Sequence, residues 1–125
     1  MDQLTVTLNR PMDDVETAVR SALADQGFGI LAEIDVAEIL STKLGVQRAP
    51  LKILGACNPV LVNQALDVSL DVALSLPCIV VLHALDATTT TVTIADPAVI
   101  MPGESFRELV EDARQRLGAA LSSLL

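Results

Sequence analysis

Few residues in this chain could do chemistry. They are two cysteines, Cys57 and Cys78, the lysine Lys52 alone in the run Leu51 to Cys57, the carboxylates Glu33 and Asp35, and one histidine, His83. Spacing decides what each could do. Cys57 closes one strand-like run and Cys78 opens another, so antiparallel neighbours would bring both to one sheet edge. Cys57 also precedes Asn58-Pro59, a helix opening whose dipole favours a thiolate. A redox pair, or half of a metal site shared by two subunits, is the chemistry this spacing allows. Two buried small hydrophobes at strand ends give the same pattern, since free cysteine commonly behaves that way.

Lys52 either anchors an anionic ligand or snorkels from the sheet into a surface ion pair. In a regular strand it stands five residues, about 16 Å, from Cys57 and on the opposite face, which makes it a poor thiolate partner. Glu33 and Asp35 share a face at i, i+2, the spacing of a carboxylate pair for acid–base work. Asp35 has a second explanation, because Glu38 three residues on completes an Asp form of the capping box. His83 lies mid-strand, five residues from Cys78, and no cysteine or histidine stands at a metal-ligand spacing from it. That points to a packed or partner-facing ring. Gly55 marks a bulge or a close backbone approach.

The elements that must hold these groups follow from periodicity. Asp2 to Leu8 alternates as a half-buried strand, with Leu4, Val6 and Leu8 on one side. Pro11, Asp13, Asp14 and Glu16 suit a helix start, and Val15, Ala18, Val19, Ala22 and Leu23 form one helical face that ends at Gly27. Phe28 to Ile34 reads as a strand, Val36 to Leu44 as a short helix stopping at Gly45, and Leu51 to Cys57 as a strand. The Asn58-Pro59 helix runs to about Leu66, and Val68 to Pro77 is irregular or briefly helical. Cys78 to Leu85 is apolar on both faces, the mark of a central strand. Thr89 to Ala95 pairs with it across Asp86-Ala87-Thr88 as a hairpin. Phe106, Leu109, Val110, Ala113, Leu117, Ala120, Leu121 and Leu124 line one face of a last helix of about twenty residues. One sheet covered by the first and last helices satisfies both amphipathic faces.

Composition narrows the function classes. The chain has 125 residues, 51% hydrophobic and 19% charged, which is one globular domain. Eight Lys or Arg against sixteen Asp or Glu leave a net charge of −8. Nucleic acid and acidic membrane surfaces are therefore poor partners, because both are held by clustered basic residues. Two Phe, no Tyr and no Trp leave little to stack on bases or sugars. Gly27 and Gly29 are a helix cap running into a strand, and there is no phosphate-cradling glycine motif. No apolar run reaches membrane-spanning length and no basic-then-apolar leader opens the chain, so the cytoplasm is expected. Two cysteines make no secreted disulfide framework.

Several segments line up as a set: Gly27-Phe28-Gly29-Ile30-Leu31 with Glu33-Ile34-Asp35, Leu51 through Gly55-Ala56-Cys57-Asn58-Pro59, Leu76-Pro77-Cys78, and Asp96-Pro97. Together they resemble the family known as domain of unknown function 302, small bacterial proteins, over nearly the whole chain. The resemblance implies a fold like that of the TATA-binding protein and helix-grip proteins, a curved, mainly antiparallel sheet gripped by a long C-terminal helix. It implies no reaction, and DNA binding does not transfer with a fold. The element order read above, β-α-β(4)-α with short helices between central strands, agrees. The expectation is an α+β module that is non-catalytic and needs no cofactor or metal. It would take a small apolar or anionic ligand, or a protein partner. An apolar crevice between sheet and helix would be lined by Ile53, Leu54, Val80, Leu82, Phe106 and Leu109 or their neighbours. The alternative is thiol chemistry through Cys57 and Cys78, with Lys52, Asn58, Glu33 and Asp35 as further ligand candidates. A homodimer is expected from the apolar last helix and the two-sided strand.

Overall fold

The computed structural model describes residues 3–125; Met1 and Asp2, where the sequence places the start of the first strand, lie outside the described residues. Strands β1 (Gln3–Leu8), β2 (Gly29–Asp35), β3 (Leu51–Cys57), β4 (Cys78–Asp86) and β5 (Thr89–Ala95) form one sheet in the order β1-β5-β4-β3-β2. Every pairing is antiparallel. The strand read as apolar on both sides, β4, is the middle one. The first two strands stand at opposite edges, so helix α1 (Met12–Asp25) must cross the sheet to join them.

Alternation sends Leu54 and Ala56 of β3, Val80, Leu82 and Ala84 of β4, and Val92 and Ile94 of β5 to one face, where all are buried. Val15, Val19, Ala22 and Leu23 of α1 cover them, together with Val110, Ala113, Leu117, Ala120 and Leu121 of the last helix, α5 (Arg107–Ser122). The apolar positions expected on the last helix all turn inward, Phe106 from a single 3-10 turn (Glu104–Phe106) and Leu109 and Leu124 half-buried. The domain's own sheet consumes this apolar stripe, so it leaves no apolar face on α5 for a second copy.

Local signals set most boundaries. Helix α2 (Val36–Leu44) starts where the Asp35 carboxylate accepts from Glu38 N at 3.0 Å and stops at Gly45, whose φ of 67° is left-handed. Helix α3 (Pro59–Val68) opens with Asn58 Oδ1 accepting from Leu61 N, its proline at N1. The stretch expected to be irregular holds the end of α3 and a 3-10 turn (Leu70–Ser75). Asp86 closes the β4–β5 hairpin by accepting from Thr88 N at 2.8 Å. A short helix α4 (Pro97–Ile100) follows β5. Asp96 caps it and also takes two bonds from Arg114 of α5, at 2.9 and 2.7 Å. That clamp ties the end of the sheet to the long helix.

Candidate functional site

The strands bring the sequence candidates to two places. At one end of β3, Lys52 faces inward across from Asp35 in the β2 ladder. Its Nζ donates to Glu33 Oε1 and to Glu16 Oε1, each at 2.8 Å. Glu16 also accepts from Arg20 Nε at 3.0 Å, and Arg20 reaches Glu33 at 3.6 Å. Two cations and two carboxylates thus form a closed, neutral set. Burial works to raise the Glu16 pKa, but hydrogen bonds from Lys52 and Arg20 outweigh it and hold the carboxyl below its ordinary value. Hydrogen bonds to Glu16 and Glu33 raise the Lys52 pKa. Two of the three ammonium donors are therefore spent inside the protein.

The cleft beside this set, about 560 Å³, is bordered by Asp13, Asp35 and Asp86 as well as Glu16 and Lys52. An anionic ligand would meet more carboxylates than free cations there. Glu33 and Asp35 do share the inner face, as their partners Leu54 and Lys52 require, but each already has a bond, to Lys52 and to the α2 cap. Sequence reading missed Glu16 and Arg20. Their i, i+4 spacing could have exposed the pair on α1, whereas their meeting with Lys52 depends on how α1 crosses the sheet.

The other place is the opposite end of β3. Ala56, not Cys57, stands opposite Cys78 in the β3–β4 ladder. The two cysteines are therefore one position out of register, although both strand ends meet at the same edge as expected and both cysteines border one cavity. Both cysteines are free. Cys78 is buried, its thiol 4.0 Å from the Ala95 carbonyl, and burial pushes its pKa up to about 11. A thiol held protonated in this way is a poor nucleophile. Among the described residues no group of three His, Cys, Asp or Glu could hold a metal ion. Asn58 is buried and spent: besides capping α3 it donates to the Gln26 carbonyl at 3.4 Å.

Iodoacetamide at pH 8 should therefore leave Cys78 unmodified in the folded protein and label the half-exposed Cys57 first. Mass spectrometry with and without denaturant checks this. Equal labelling of both cysteines in the native state would contradict the buried thiol.

A cavity of about 40 Å³ lies beside these strand ends, and both Cys57 and Cys78 line it, with Phe28, Ala56, Met101 and Leu117 among others. An engineered cavity that takes benzene measures about 150 Å³. An apolar space between sheet and last helix is therefore present, though small: its lining comes from neighbours of the expected residues, Ala56, Cys78, Ala113 and Leu117, and not from Ile53, Leu54, Val80, Leu82, Phe106 or Leu109 themselves. Leu54, Val80 and Leu82 are fully buried in side-chain packing, and Ile53 falls on the other face of the sheet.

That other face is the feature left unabsorbed. Alternation places Ile79, Val81, His83 and Leu85 of β4 at its centre and Leu51 and Ile53 of β3 beside them. Ala32 and Ile34 stand on β2, and Thr5, Thr7, Thr89, Thr91 and Thr93 lie on β1 and β5. The threonines of β1 and β5 meet across the ladder, Thr5 with Thr93 and Thr7 with Thr91, each at 3.4 Å. Among the described residues at these positions none is an Asp, Glu, Lys or Arg. Ile34, Ile79 and Leu85 are exposed, Leu85 at 54%. Gly55 also lies on this face, and the expected close approach is there: a Cβ at Gly55 would come 2.6 Å from the ring of Pro77.

The model of a family described as domain of unknown function DUF302 matches residues 4–124. The chain is also similar to a solved structure, the crystal structure of an uncharacterized conserved protein DUF302 from Bacillus stearothermophilus. The two are 29% identical, with a TM-score of 0.89, over 100% of this chain and 99% of that one. No curated protein matches the chain. Among the described residues no helix is long and apolar enough to cross a membrane.

Proposed function

Because this chain belongs to the family of domain of unknown function DUF302, whose description assigns no reaction, we propose a function from its own surfaces. It is a non-catalytic interaction module of the cytoplasm that pairs with a second copy of itself through the open face of the sheet. The observation that carries this reading is the uncharged, apolar-centred face on a protein whose net charge is −8. Two copies so acidic repel each other at most orientations. Association is least opposed through a surface that brings few carboxylates together, and on this face the nearest is Asp86, the ladder partner of Thr89 at one end.

Its size suits the task. Five strands about 4.8 Å apart and about 20 Å long offer roughly 500 Å² in projection. Side chains standing off the sheet raise the accessible area toward the ~800 Å² per partner of a stable interface. A central apolar strand rimmed by threonines matches the usual apolar centre and polar rim. A two-fold axis near β4 would set each apolar strand against its own copy. The free cysteines accord with a reducing compartment.

Sedimentation equilibrium from about 1 to 100 μM tests the reading, with a dimer expected at neutral pH. Val81→Glu sets two carboxylates at the centre of the interface and should weaken association at least 100-fold. Its melting temperature at low protein concentration should stay near that of the parent, because Val81 lies off the buried core. A parent protein that stays monomeric at 100 μM overturns the proposal, and so does a Val81→Glu variant that dimerises unchanged.

A further inference from the structure

We infer that the cavity at the ends of β3 and β4 binds one soft, univalent metal ion of the copper(I) type, held by the sulfurs of Cys57, Cys78 and Met101. All three residues line this one space of about 40 Å³. Three separate elements supply them: Cys57 ends β3, Cys78 opens β4 and Met101 follows α4. The inference is independent of the self-association proposed above, which uses the open face of the sheet.

The lining decides the class of ion. Apart from the sulfurs, Asn58 is its one polar residue, and that amide is already committed to Leu61 N and the Gln26 carbonyl. No carboxylate, imidazole or ammonium lines the space. Calcium and magnesium, which are held by oxygen, therefore find no ligands there. Zinc takes four nitrogen, oxygen or thiolate ligands, and two cysteines supply half of them. Copper(I) is selected by thiolate and thioether donors, and two thiolates with one thioether are enough for it.

Both thiols are free, and each gives up its proton on binding, so one Cu(I) enters and two protons leave to the buffer. Burial pushes the Cys78 thiol up to about 11, which makes its proton harder to release and binding tighter as pH rises. Cys78 and Met101 are buried, whereas Cys57 is half-buried. The ion thus enters at Cys57, the one of the three that water reaches. A univalent ion between two thiolates leaves one negative charge, and Cys57 is the residue where water can offset it.

The full chain, reduced and free of oxygen, is titrated with Cu(I) at pH 7.5 against a chromophoric Cu(I) chelator, with circular dichroism to follow the fold. One ion per chain should be retained, and at pH 6.5 retention should weaken about tenfold or more. Met101→Leu conserves volume and should keep the fold, while removing one sulfur neighbour from the copper X-ray absorption spectrum and weakening retention about tenfold. Cys57→Ser and Cys78→Ala should each weaken it about 100-fold. A parent protein that holds no Cu(I) against the chelator overturns the inference. A Met101→Leu variant that retains the ion unchanged overturns it too. So does retention that needs Cys57 but not Cys78, the mark of an accessible thiol taking up metal by itself.

Discussion

Arg114→Met should cost about 2–3 kcal/mol of stability and lower the melting temperature by roughly 10 °C. Asp96 is 4% exposed and accepts two bonds from the Arg114 guanidinium, in the fork geometry that makes such pairs strong. Removing one partner of a buried pair leaves the other charge uncompensated, typically at about 3–5 kcal/mol. The Arg114 side chain is 45% exposed, so water replaces part of what is lost and the expectation falls below that range. The Asp96 cap to Ala98 N survives the substitution, which keeps α4 in place.

The same pair sets a pH dependence. Hydrogen bonds from Arg114 hold the Asp96 carboxyl below its ordinary value, against the raising effect of burial. A carboxylate with a depressed folded-state pKa stabilises the fold above its unfolded value of about 3.9, and that contribution is lost as pH falls through the lower, folded value. Glu16 acts with the same sign. The parent should therefore lose stability on acidification below about pH 4, and Arg114→Met should lose less over that range because its Asp96 advantage is already gone. Urea titrations at pH 7, 4 and 3 measure it. Parallel stability curves for parent and variant would show that the clamp contributes nothing on the acid limb.

Gly55→Val should destabilise by about 2–3 kcal/mol, while Gly29→Ala, also in a strand of the same sheet, should be neutral or gain up to about 1 kcal/mol. At Gly55 a Cβ would stand 2.6 Å from Pro77 Cγ and 3.3 Å from the Ala32 Cβ. A proline ring cannot swing aside as a long flexible side chain can, so the strand or the Leu76-Pro77 segment must shift. At Gly29 nothing lies within 4 Å and φ is not positive, so alanine chiefly restricts the unfolded chain. Denaturant midpoints of the two variants decide it. Equal effects at the two glycines would remove the close approach as the reason for Gly55.

Much of this protein was legible in its sequence because the signals are local. Alternation in Leu4, Val6 and Leu8, the apolar faces of α1 and α5, the Asp35 and Asn58 caps and the Asp86 turn each rest on residues a few positions apart. Backbone geometry then leaves few alternatives. The two-sided apolar pattern of Cys78 to Leu85 likewise marked β4 as central, the strand paired along both edges. Gly55 announced a close approach without naming Pro77, which supplies it.

Tertiary structure decided what depends on register and on the path of α1. A one-residue offset in the β3–β4 ladder sets Ala56, and not Cys57, against Cys78. No count along the chain shows that offset, because side-chain direction inverts with every step. Lys52 takes one partner, Glu33, from the neighbouring strand β2 and the other, Glu16, from α1, thirty-six residues away in sequence, and the full ion-pair set exists only because that helix crosses from β1 to β2. Packing likewise reduced the expected crevice to about 40 Å³, since interdigitating side chains fill sheet-to-helix space to a density that periodicity cannot report. The sequence by itself settled which faces are apolar, and the fold decided which of them are buried and which stay exposed.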